Sequence, residues 1–284
     1  MKCGLVLEGG ARRGLFTAGF LDRLYDFGVE FPYVAGVSAG AQAAMNFVSR
    51  QPGRSKFMMI PHNDAKTPVL PLHDVLAREL NKIAFDYSYN QFPFDFTTYF
   101  TSDTECEIVA TDCLTGRAEY FSERKDEKRL LKALVASCSL PALFPKAEVD
   151  GREFVDGSIA DSVPFQRALE KGCDRVLVVL TKPVDEPATD YRKMRRVLSK
   201  IFEEKYPQLF DAMMTRFDRY AEQAQLMGKL ADDGKIMVVR PKRSYVKAFD
   251  SNSEKLETAY DEGKAAADAL KNEVLEFTGA ALRA

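Results

Sequence analysis

Two strand–turn–helix units in the first 50 residues constrain the fold of this chain most. The apolar run CGLVLE, residues 3–8, ends in a pair of glycines and leads into residues 13–26, where apolar side chains recur at helical spacing. A second apolar run at 33–37 leads into a small-residue helix pattern at 39–49. Strands that alternate with helices usually pair in parallel, because a crossover helix returns the chain to the same edge of the sheet. The sequence therefore predicts an α/β fold with a mainly parallel sheet.

The character of the chain changes after about residue 186. Before that point, the runs at 106–112 and 116–122 predict a hairpin closed by CLTG, and the apolar run at 175–181 predicts a buried strand. After it, a further strand at 235–241 stands among charged amphipathic helices, which are predicted at 190–203, 206–232 and 252–277. The chain thus reads as an α/β core followed by a helical C-terminal region.

Composition limits the class of protein. A formal net charge of −2 over 284 residues, with no strongly basic face, argues against nucleic acid as a partner. The N-terminal apolar run is too short for a signal peptide, so we expect a cytoplasmic protein that meets a membrane, if at all, only at its surface. The odd number of cysteines without metal-site spacing predicts reduced core thiols at Cys3, Cys106, Cys113, Cys138 and Cys173. The sequence gives no indication of the oligomeric state.

The loop EGGARRG, residues 8–14, lies between the first predicted strand and helix. Its glycines let backbone amides point into a concave site, and the N-terminus of the next helix adds partial positive charge. The loop lacks the Lys-Ser/Thr ending of a nucleotide P-loop, and Ala11 breaks the glycine spacing of a dinucleotide site. It suits a bound anion or the oxyanion of acyl transfer, and a tight turn with two solvated arginines is the alternative.

Ser38 lies between Gly36 and Gly40 in the segment GVSAG, which follows a predicted strand and opens a predicted helix. A nucleophile on a strand-to-helix elbow needs small neighbours, because the turn is crowded and its backbone strained. The helix N-terminus favours negative charge on the serine oxygen. Ser38 is therefore a candidate nucleophile, with an ordinary small-residue turn as the alternative.

Asp156 is the third candidate, in the segment FVDGS at 154–158. Open α/β sheets hold their sites beyond the carboxyl ends of the strands, where this aspartate is predicted to lie. Asp-Gly is also a common turn dipeptide, which leaves a structural interpretation open.

The histidines restrict the chemistry. The chain has only His62 and His73, and both precede Asp156, so the Ser–Asp–His order of α/β-hydrolases is unavailable. Both lie in or beside a Pro-punctuated loop predicted at 51–72, where a solvated role is expected. If Ser38 is activated, a carboxylate has to act as its base.

Taken together, the three segments resemble the patatin-like phospholipase family, which shows a glycine-rich loop, a GxSxG elbow and an Asp-Gly motif in this order. The matches are GGARRG at 9–14, GVSAG at 36–40 and DGS at 156–158, and ASCSLPALFP at 136–145 resembles a Ser-x-Ser-x-Pro segment of the family. The resemblance covers roughly residues 3–170. It implies a three-layer α/β/α fold, with a catalytic core at 1–172 and a C-terminal strand and helical extension packed on it at 173–284.

This resemblance implies a serine acyl hydrolase of lipid esters that needs no metal or other cofactor. Ser38 would be the nucleophile and Asp156, followed by Gly157, the base. The oxyanion hole would be formed by the loop residues Gly9, Gly10, Ala11, Arg13 and Gly14. Ala11 and Ser158 depart from the family pattern, which has glycine at the first position and glycine or alanine at the second. An anion- or lipid-binding protein without catalysis, and an acyltransferase or thioesterase with the same dyad, are the alternatives.

Two further stretches each allow two interpretations. The basic run RKMRRVLSK, residues 192–200, is typical of a solvated helix face, and contact with anionic lipid headgroups is the alternative. Residues 85–100 carry eight aromatic residues in sixteen positions. They suit either a lid or wall for an acyl chain, or core beneath a long loop.

Overall fold

One sheet of eight strands organises the computed structural model, which describes residues 1–60, 80 and 82–280. The strands are β1 (Cys3–Leu7), β2 (Tyr33–Val37), β3 (Glu105–Asp112), β4 (Ala118–Phe121), β5 (Ala147–Val149), β6 (Arg152–Asp156), β7 (Arg175–Val179) and β8 (Ile236–Val239). Their order is β5-β6-β3-β2-β1-β7-β8, and β4 also pairs with β3. The strands from β3 to β8 in this order are parallel, whereas β4, β5 and β6 pair antiparallel. The predicted mainly parallel sheet is confirmed.

Helices cover both faces of the sheet. They are α1 (Gly14–Asp26), α2 (Ala39–Val48), α3 (Arg54–Met59), α4 (Phe96–Thr101), α5 (Glu127–Cys138), α6 (Phe165–Glu170), α7 (Arg195–Leu198), α8 (Pro207–Asp232), α9 (Ser253–Ala269) and α10 (Lys271–Thr278). Leu5 and Leu7 of β1 face a core shared with α1, α2 and α5, whereas Val6 faces a second core shared with α6 and α8. Because successive side chains of a strand point to opposite faces, both faces need a covering layer. The fold has three layers, as expected.

The loop predicted at 51–72 is wrong in its first part, because α3 occupies Arg54–Met59. The fully buried side chain of Arg54 donates to Asn46 Oδ1 at 2.6 Å and to the Phe92 carbonyl at 3.0 Å. These contacts with distant residues support a helix that has no local sequence signal. Residues 61–72, and most of the helix predicted at 73–84, lie outside the described residues.

Two predicted C-terminal helices are interrupted. The stretch predicted at 190–203 consists of a 3₁₀ turn at Tyr191–Met194, then α7, then a π-helical turn at Ser199–Glu203. The helix predicted at 252–277 breaks at Leu270, between α9 and α10. The helical character of both stretches is confirmed, and their continuity is wrong.

The aromatic stretch at 85–100 contributes to the core. Phe94 and Tyr99 are 5% and 1% exposed, and Phe96 and Phe100 pack against the same core. The Arg54 guanidinium lies 5.1 Å from the centre of the Phe94 ring and ties the stretch to α3. The interpretation as core is confirmed.

The C-terminal region completes the fold by pairing and packing with the N-terminal half. β7 pairs with β1 in the middle of the sheet, and α9 packs along α1. Between these helices the Tyr260 hydroxyl donates to Asp22 at 2.7 Å, and Arg23 pairs with Asp268 at 2.5 Å. The domain boundary between residues 172 and 173 stays a prediction.

All five cysteines are free thiols, as predicted, and all but Cys138 are buried. Although the Cys138 residue is partly exposed, desolvation of its thiol and the nearby charge of Asp156 raise the pKa of Cys138, so this neighbour of the site described below stays protonated near neutral pH. In the part of the chain that the structure describes, we find no helix with the length and apolar character needed to span a bilayer.

Candidate active site

A cleft of about 370 Å³ brings the three sequence motifs together at one edge of the sheet. It is lined by the loop from Gly9 to Ala11, which follows β1, by Ser38, which follows β2, and by Asp156 at the end of β6. Because parallel strands share their carboxyl edge, segments that follow β1 and β2 meet there although they are distant along the chain.

Two other features of the structure lie apart from this cleft. No described residue of the aromatic stretch 85–100 lines it, so the structure gives no support to an acyl-chain wall there. A larger cleft, of about 570 Å³ and lined by residues such as Tyr25 and Thr104, contains none of the predicted site residues. The smaller cleft is therefore the candidate site.

The backbone at Ser38 is strained. Its φ of 55° and ψ of −123° are rare for a residue with a side chain, and α2 begins at the next residue. A Cβ atom on Gly40 would lie 2.3 Å from the Leu7 carbonyl oxygen, and one on Gly36 would lie 2.3 Å from the Gly40 carbonyl oxygen. Only glycine fits at both positions, which explains the spacing of the motif. The Ser38 hydroxyl does not cap α2.

Ser137, in the last turn of α5, holds the Ser38 backbone. The Ser38 amide donates to Ser137 Oγ at 2.8 Å, and the Ser137 hydroxyl donates to the Val109 carbonyl at 2.6 Å. Ser137 is fully buried, so water cannot replace either bond without cost. The next serine, Ser139, accepts the Asp156 amide on its carbonyl at 2.9 Å. One short segment therefore holds both candidate residues, a role that the sequence did not reveal.

Asp156 reaches the cleft on an antiparallel strand. Asp156 lies opposite Ala110 of β3, and Val37, at the end of β2, lies opposite Val109. The sequence predicted Asp156 at the carboxyl end of a strand without a direction for that strand, and the structure shows that the strand is antiparallel. β6 runs against β3, and its end meets the end of β2 because the two strands stop at adjacent residues of β3. The location at the carboxyl edge is nevertheless the expected one.

The Asp156 carboxylate is buried and only partly hydrogen-bonded. It is 1% exposed, and its Oδ1 accepts the Ser158 amide at 2.8 Å. Its Oδ2 has no hydrogen-bond partner in residues 1–60 and 82–280. Burial raises the pKa of Asp156, while Ser158, the Ser38 hydroxyl and the charge of Arg216 oppose this shift. A carboxylate with a raised pKa is a better proton acceptor.

The glycine loop presses against Ser38. A Cβ atom on Gly9 would lie 2.9 Å from the Ser38 Cβ, and one on Gly10 would lie 2.5 Å from Thr181 Oγ1. This close approach leaves the loop backbone, rather than side chains, facing the nucleophile candidate.

The backbone amides of this loop differ in whether they already donate a hydrogen bond to a protein acceptor. The Arg13 amide donates to the Gly10 carbonyl at 3.1 Å, and the Gly14 amide donates within the same 3₁₀ turn. The Arg13 side chain pairs with Glu186 at 2.6 Å. In the described ranges, the amides of Gly9, Gly10 and Ala11 donate to no protein acceptor. Of the predicted oxyanion-hole residues, these three have donors to offer.

Ala11 has a φ of 48°, in the left-handed region where a methyl group is strained. The loop is held in this conformation through the buried carboxylate of Glu8. That carboxylate accepts hydrogen bonds from the Thr181 amide and the Tyr220 hydroxyl, each at 2.7 Å. The Thr181 hydroxyl lies 3.0 Å from Glu8 Oε2 and 2.9 Å from the Gly9 carbonyl, and it can donate to one at a time. This network holds the loop in place, and no sequence motif predicted it.

Two cationic side chains at the cleft were also not predicted from the sequence, because a single lysine or arginine forms no sequence motif. The Lys182 side chain is 7% exposed, with its Nζ 3.9 Å from Glu8 Oε1, and burial lowers the pKa of Lys182. Arg216 donates to the Ser158 carbonyl at 2.6 Å and to the Thr189 carbonyl at 3.1 Å. Their positive charge favours anionic groups in the cleft.

Among the residues that the structure describes, no group of three or more His, Cys, Asp or Glu side chains could hold a metal ion. His62 and His73 lie outside those residues.

Two curated proteins illustrate the sequence similarity between this chain and known proteins. YjjU, an uncharacterised protein of Escherichia coli K12, is 29% identical over 191 residues, which are 64% of this chain and 52% of that protein. Rv1063c, an uncharacterised NTE-family protein of Mycobacterium tuberculosis H37Rv, is 23% identical over 189 residues, which are 63% of this chain and 48% of that protein. The chain therefore spans about half the length of these relatives.

Structure and family comparisons agree with the fold. VipD from Legionella pneumophila superposes with a TM-score of 0.53 and 14% identity, covering 96% of this chain and 67% of that chain. Residues 206–279 match a domain family of unknown function. Residues 5–169, more than half of the chain, match the patatin-like phospholipase family. On this match and its three motifs, the chain belongs to the patatin-like phospholipase family.

Proposed function

We propose that this protein is a serine acyl hydrolase that cleaves acyl esters of lipids. The observation that carries the proposal is the strained Ser38 in one cleft with the buried Asp156, whose Oδ2 lacks a partner among the described residues. A strained backbone of this kind costs about 1 to 3 kcal/mol, and an unsatisfied buried acceptor costs a similar amount. Two such costs in one cleft are expected where they serve chemistry, and membership of the family supports the same assignment.

In the first half of the reaction, the Ser38 oxygen attacks the ester carbonyl carbon while Asp156 accepts the hydroxyl proton. The negative charge that develops on the carbonyl oxygen is stabilised by the amides of Gly10 and Ala11. The bond to the alcohol then breaks. The alcohol leaves with the proton from Asp156, and the acyl group stays on Ser38.

In the second half, water attacks the acyl-enzyme and Asp156 accepts a proton from it. The bond to Ser38 breaks, the carboxylic acid leaves, and the proton returns to the Ser38 oxygen. Burial of Asp156 supports this role because it brings the basicity of a carboxylate closer to what the reaction needs.

The lining of the cleft supports an acyl chain as part of the substrate. Leu140, Leu143, Met194 and Phe249 add apolar surface beside the polar centre. Apolar walls with a few placed polar groups are typical of small-molecule sites. A lipid ester fits both parts, with its carbonyl at Ser38 and its chain along the apolar side.

Hydrolysis of a short p-nitrophenyl acyl ester and of phospholipid and lysophospholipid panels tests the proposal. We expect Ser38→Ala to lower kcat by on the order of ten-thousandfold or more, and Asp156→Asn by roughly a hundredfold to ten-thousandfold. Circular dichroism establishes that each variant is folded. Full activity in folded Ser38→Ala would refute the dyad.

A fluorophosphonate probe distinguishes catalysis from simple anion binding. An activated serine reacts covalently, so we expect the label on Ser38 in the wild type and none in Ser38→Ala. A wild type that turns over no ester and takes up no label would favour the anion- or lipid-binding alternative.

A further inference from the structure

The segment at residues 192–201, RKMRRVLSKI, exposes apolar side chains in a regular pattern. Met194, Val197 and Ile201 are 45%, 58% and 49% exposed. Single exposed apolar residues are ordinary, but these three lie within eight residues of one another, in consecutive 3₁₀, α-helical and π-helical turns. They form an apolar stripe that faces solvent.

The same segment is basic and contains no acidic residue. Arg192 and Arg195 have carboxylate neighbours, at Asp190 and Glu203. Lys193, Arg196 and Lys200 are exposed, and among the described residues none has a carboxylate within ion-pair distance. Their spacing repeats that of the apolar stripe one residue earlier. A basic stripe beside an apolar one is typical of helices that lie at a membrane surface.

The segment is firmly anchored beside the candidate active site. Tyr191, Leu198 and Phe202 are buried in one apolar cluster with Val155 and Ile159, which flank Asp156 in the chain. Tyr191 and Met194 also line the cleft. The exposed stripes therefore have a defined position next to the opening of the cleft.

A second segment, residues 242–249, contributes a similar surface about 40 positions further along the chain. Phe249 is 56% exposed and lines the cleft, as Met194 does. Lys242, Arg243 and Lys247 of this segment are exposed. Each of these two segments thus places one exposed apolar side chain at the cleft, Met194 or Phe249, and carries exposed basic side chains close to it in sequence.

We propose that residues 192–201 and 242–249, here named the cleft rim, dock this protein on anionic lipid bilayers with the cleft facing the membrane. The basic side chains match anionic headgroups, and the apolar side chains match the boundary between headgroups and acyl chains. A free anion would leave the apolar stripe in water. The inference rests on the proposed function in one respect, because a lipid substrate explains why docking surrounds this cleft.

The test measures binding of the full-length Ser38→Ala protein to vesicles, so that turnover cannot alter the lipids. Sedimentation is compared for vesicles of phosphatidylcholine alone and of phosphatidylcholine mixed with phosphatidylglycerol. We expect binding to the mixed vesicles that weakens with added salt. Replacing Lys193, Arg196 and Lys200 together by glutamine should lower that binding by roughly a hundredfold.

A matched control removes the same charge elsewhere. Lys125, Lys128 and Lys229 are exposed and lie outside the cleft rim, and their replacement by glutamine should leave vesicle binding unchanged. Val197→Ser with Ile201→Ser should weaken binding without changing the net charge. Equal losses in the rim and control variants, or equal binding to both kinds of vesicle, would overturn the proposal.

Two further readouts separate this inference from the proposed function. In the background with Ser38 intact, the rim variants should hydrolyse the short p-nitrophenyl ester at the wild-type rate, because that ester needs no membrane. Vesicle binding without any ester hydrolysis would contradict the proposed function and leave the docking surface standing. A dimer that the rim variants abolish, with no vesicle binding, would overturn the docking proposal in favour of a second copy of the chain.

Discussion

Ser38 and Asp156 occupy the same cleft but are strained in different ways. Ser38 stores its strain in the backbone, with a positive φ that remains whatever its side chain does. Asp156 has a φ of −47° and ψ of 131°, without such strain, and instead holds a buried carboxylate with an unpartnered Oδ2 in the described part of the chain. The Ser38 backbone is held outside its preferred conformation, and the Asp156 carboxylate is held out of water.

The difference follows from the strands that carry them. Ser38 follows a parallel strand and has to turn sharply into α2, so geometry imposes the strain. Asp156 ends an antiparallel strand and leads into a 3₁₀ turn at Gly157–Ile159 with an ordinary φ, so its cost comes from burial by its neighbours. Substitutions should therefore affect the two positions differently.

Among substitutions outside the two candidate catalytic residues, the largest effect should come from removing the support of the nucleophile. Ser137→Ala leaves the buried Ser38 amide without its acceptor, so we expect kcat on p-nitrophenyl ester to fall about tenfold to a hundredfold, with a loss of about 1 to 3 kcal/mol in unfolding free energy. Ser139→Ala is the matched control, because its hydroxyl donates to the Val135 carbonyl of its own helix and its backbone still holds Asp156. Equal losses in both would show that the elbow needs no such support.

Stability measurements sharpen the comparison next. Asp156→Asn removes the buried charge, so its melting temperature at pH 8 should rise above that of the wild type. Ser38→Ala keeps the strained backbone and should melt like the wild type, whereas Ser38→Gly relieves it and should gain about 1 kcal/mol. Differential scanning calorimetry measures all three. A stabilised Ser38→Ala would show that the strain at Ser38 does not lie in the backbone, and a destabilised Asp156→Asn would show that the buried charge is not costly.

The pH dependence of activity tests the electrostatic part of the comparison, the buried carboxylate of Asp156. The base has to be ionised, and burial raises the pKa of Asp156, so activity should fall on acidification at a higher pH than an ordinary aspartate, near 3.9, would give. The raised pKa also means that Asp156 destabilises the fold when ionised, and that this cost disappears as the pH falls through its folded pKa.

Ser158→Ala should move this acid limb of kcat to higher pH, because hydrogen bonds from Ser158 lower the pKa of Asp156. Ser162→Ala is the control, since its hydroxyl donates to the Ser158 carbonyl and not to the carboxylate. A profile that is the same for Ser158→Ala and the wild type would show that the Ser158 hydroxyl does not tune the base.

The smallest effect concerns the loop that would hold the oxyanion. Ala11→Gly relieves the left-handed strain, and after the added chain entropy of glycine we expect a gain below about 1 kcal/mol in unfolding free energy. The rate should change by less than about threefold, because Glu8 and Thr181 hold the loop. Urea denaturation and ester kinetics measure both. A large loss of rate would show that the methyl group itself orders the loop.

Local patterns were sufficient for much of the fold. Strands β1, β2 and β7 are short apolar runs, and the helices beside them repeat apolar side chains at helical spacing, so backbone preference and burial act in the same direction. Gly36 of the elbow could be found for the same reason, because its crowding comes from Gly40, a near neighbour in sequence, whereas Gly40 is crowded by the distant Leu7 carbonyl.

Interactions between distant residues were not accessible in this way. The Asp150-Gly151 dipeptide is a local signal for the hairpin that makes β6 antiparallel to β5. No residue near Asp156 shows that β6 also runs against β3, since this depends on which partner the strand meets. The support of Ser38 by Ser137, and of the loop by Glu8 and Tyr220, joins residues about 100 to more than 200 positions apart. Such bonds leave no periodic signal, because each needs only one polar side chain.

The sequence by itself therefore determined the α/β class, the parallel centre of the sheet and the order of the three motifs, because these depend on local spacing and burial. Only the tertiary structure decided how Asp156 enters the cleft, which loop amides have donors to offer, and which side chains hold the site. The physical reason is that hydrogen-bond partners and burial are properties of the packed chain, set by residues that meet only after folding.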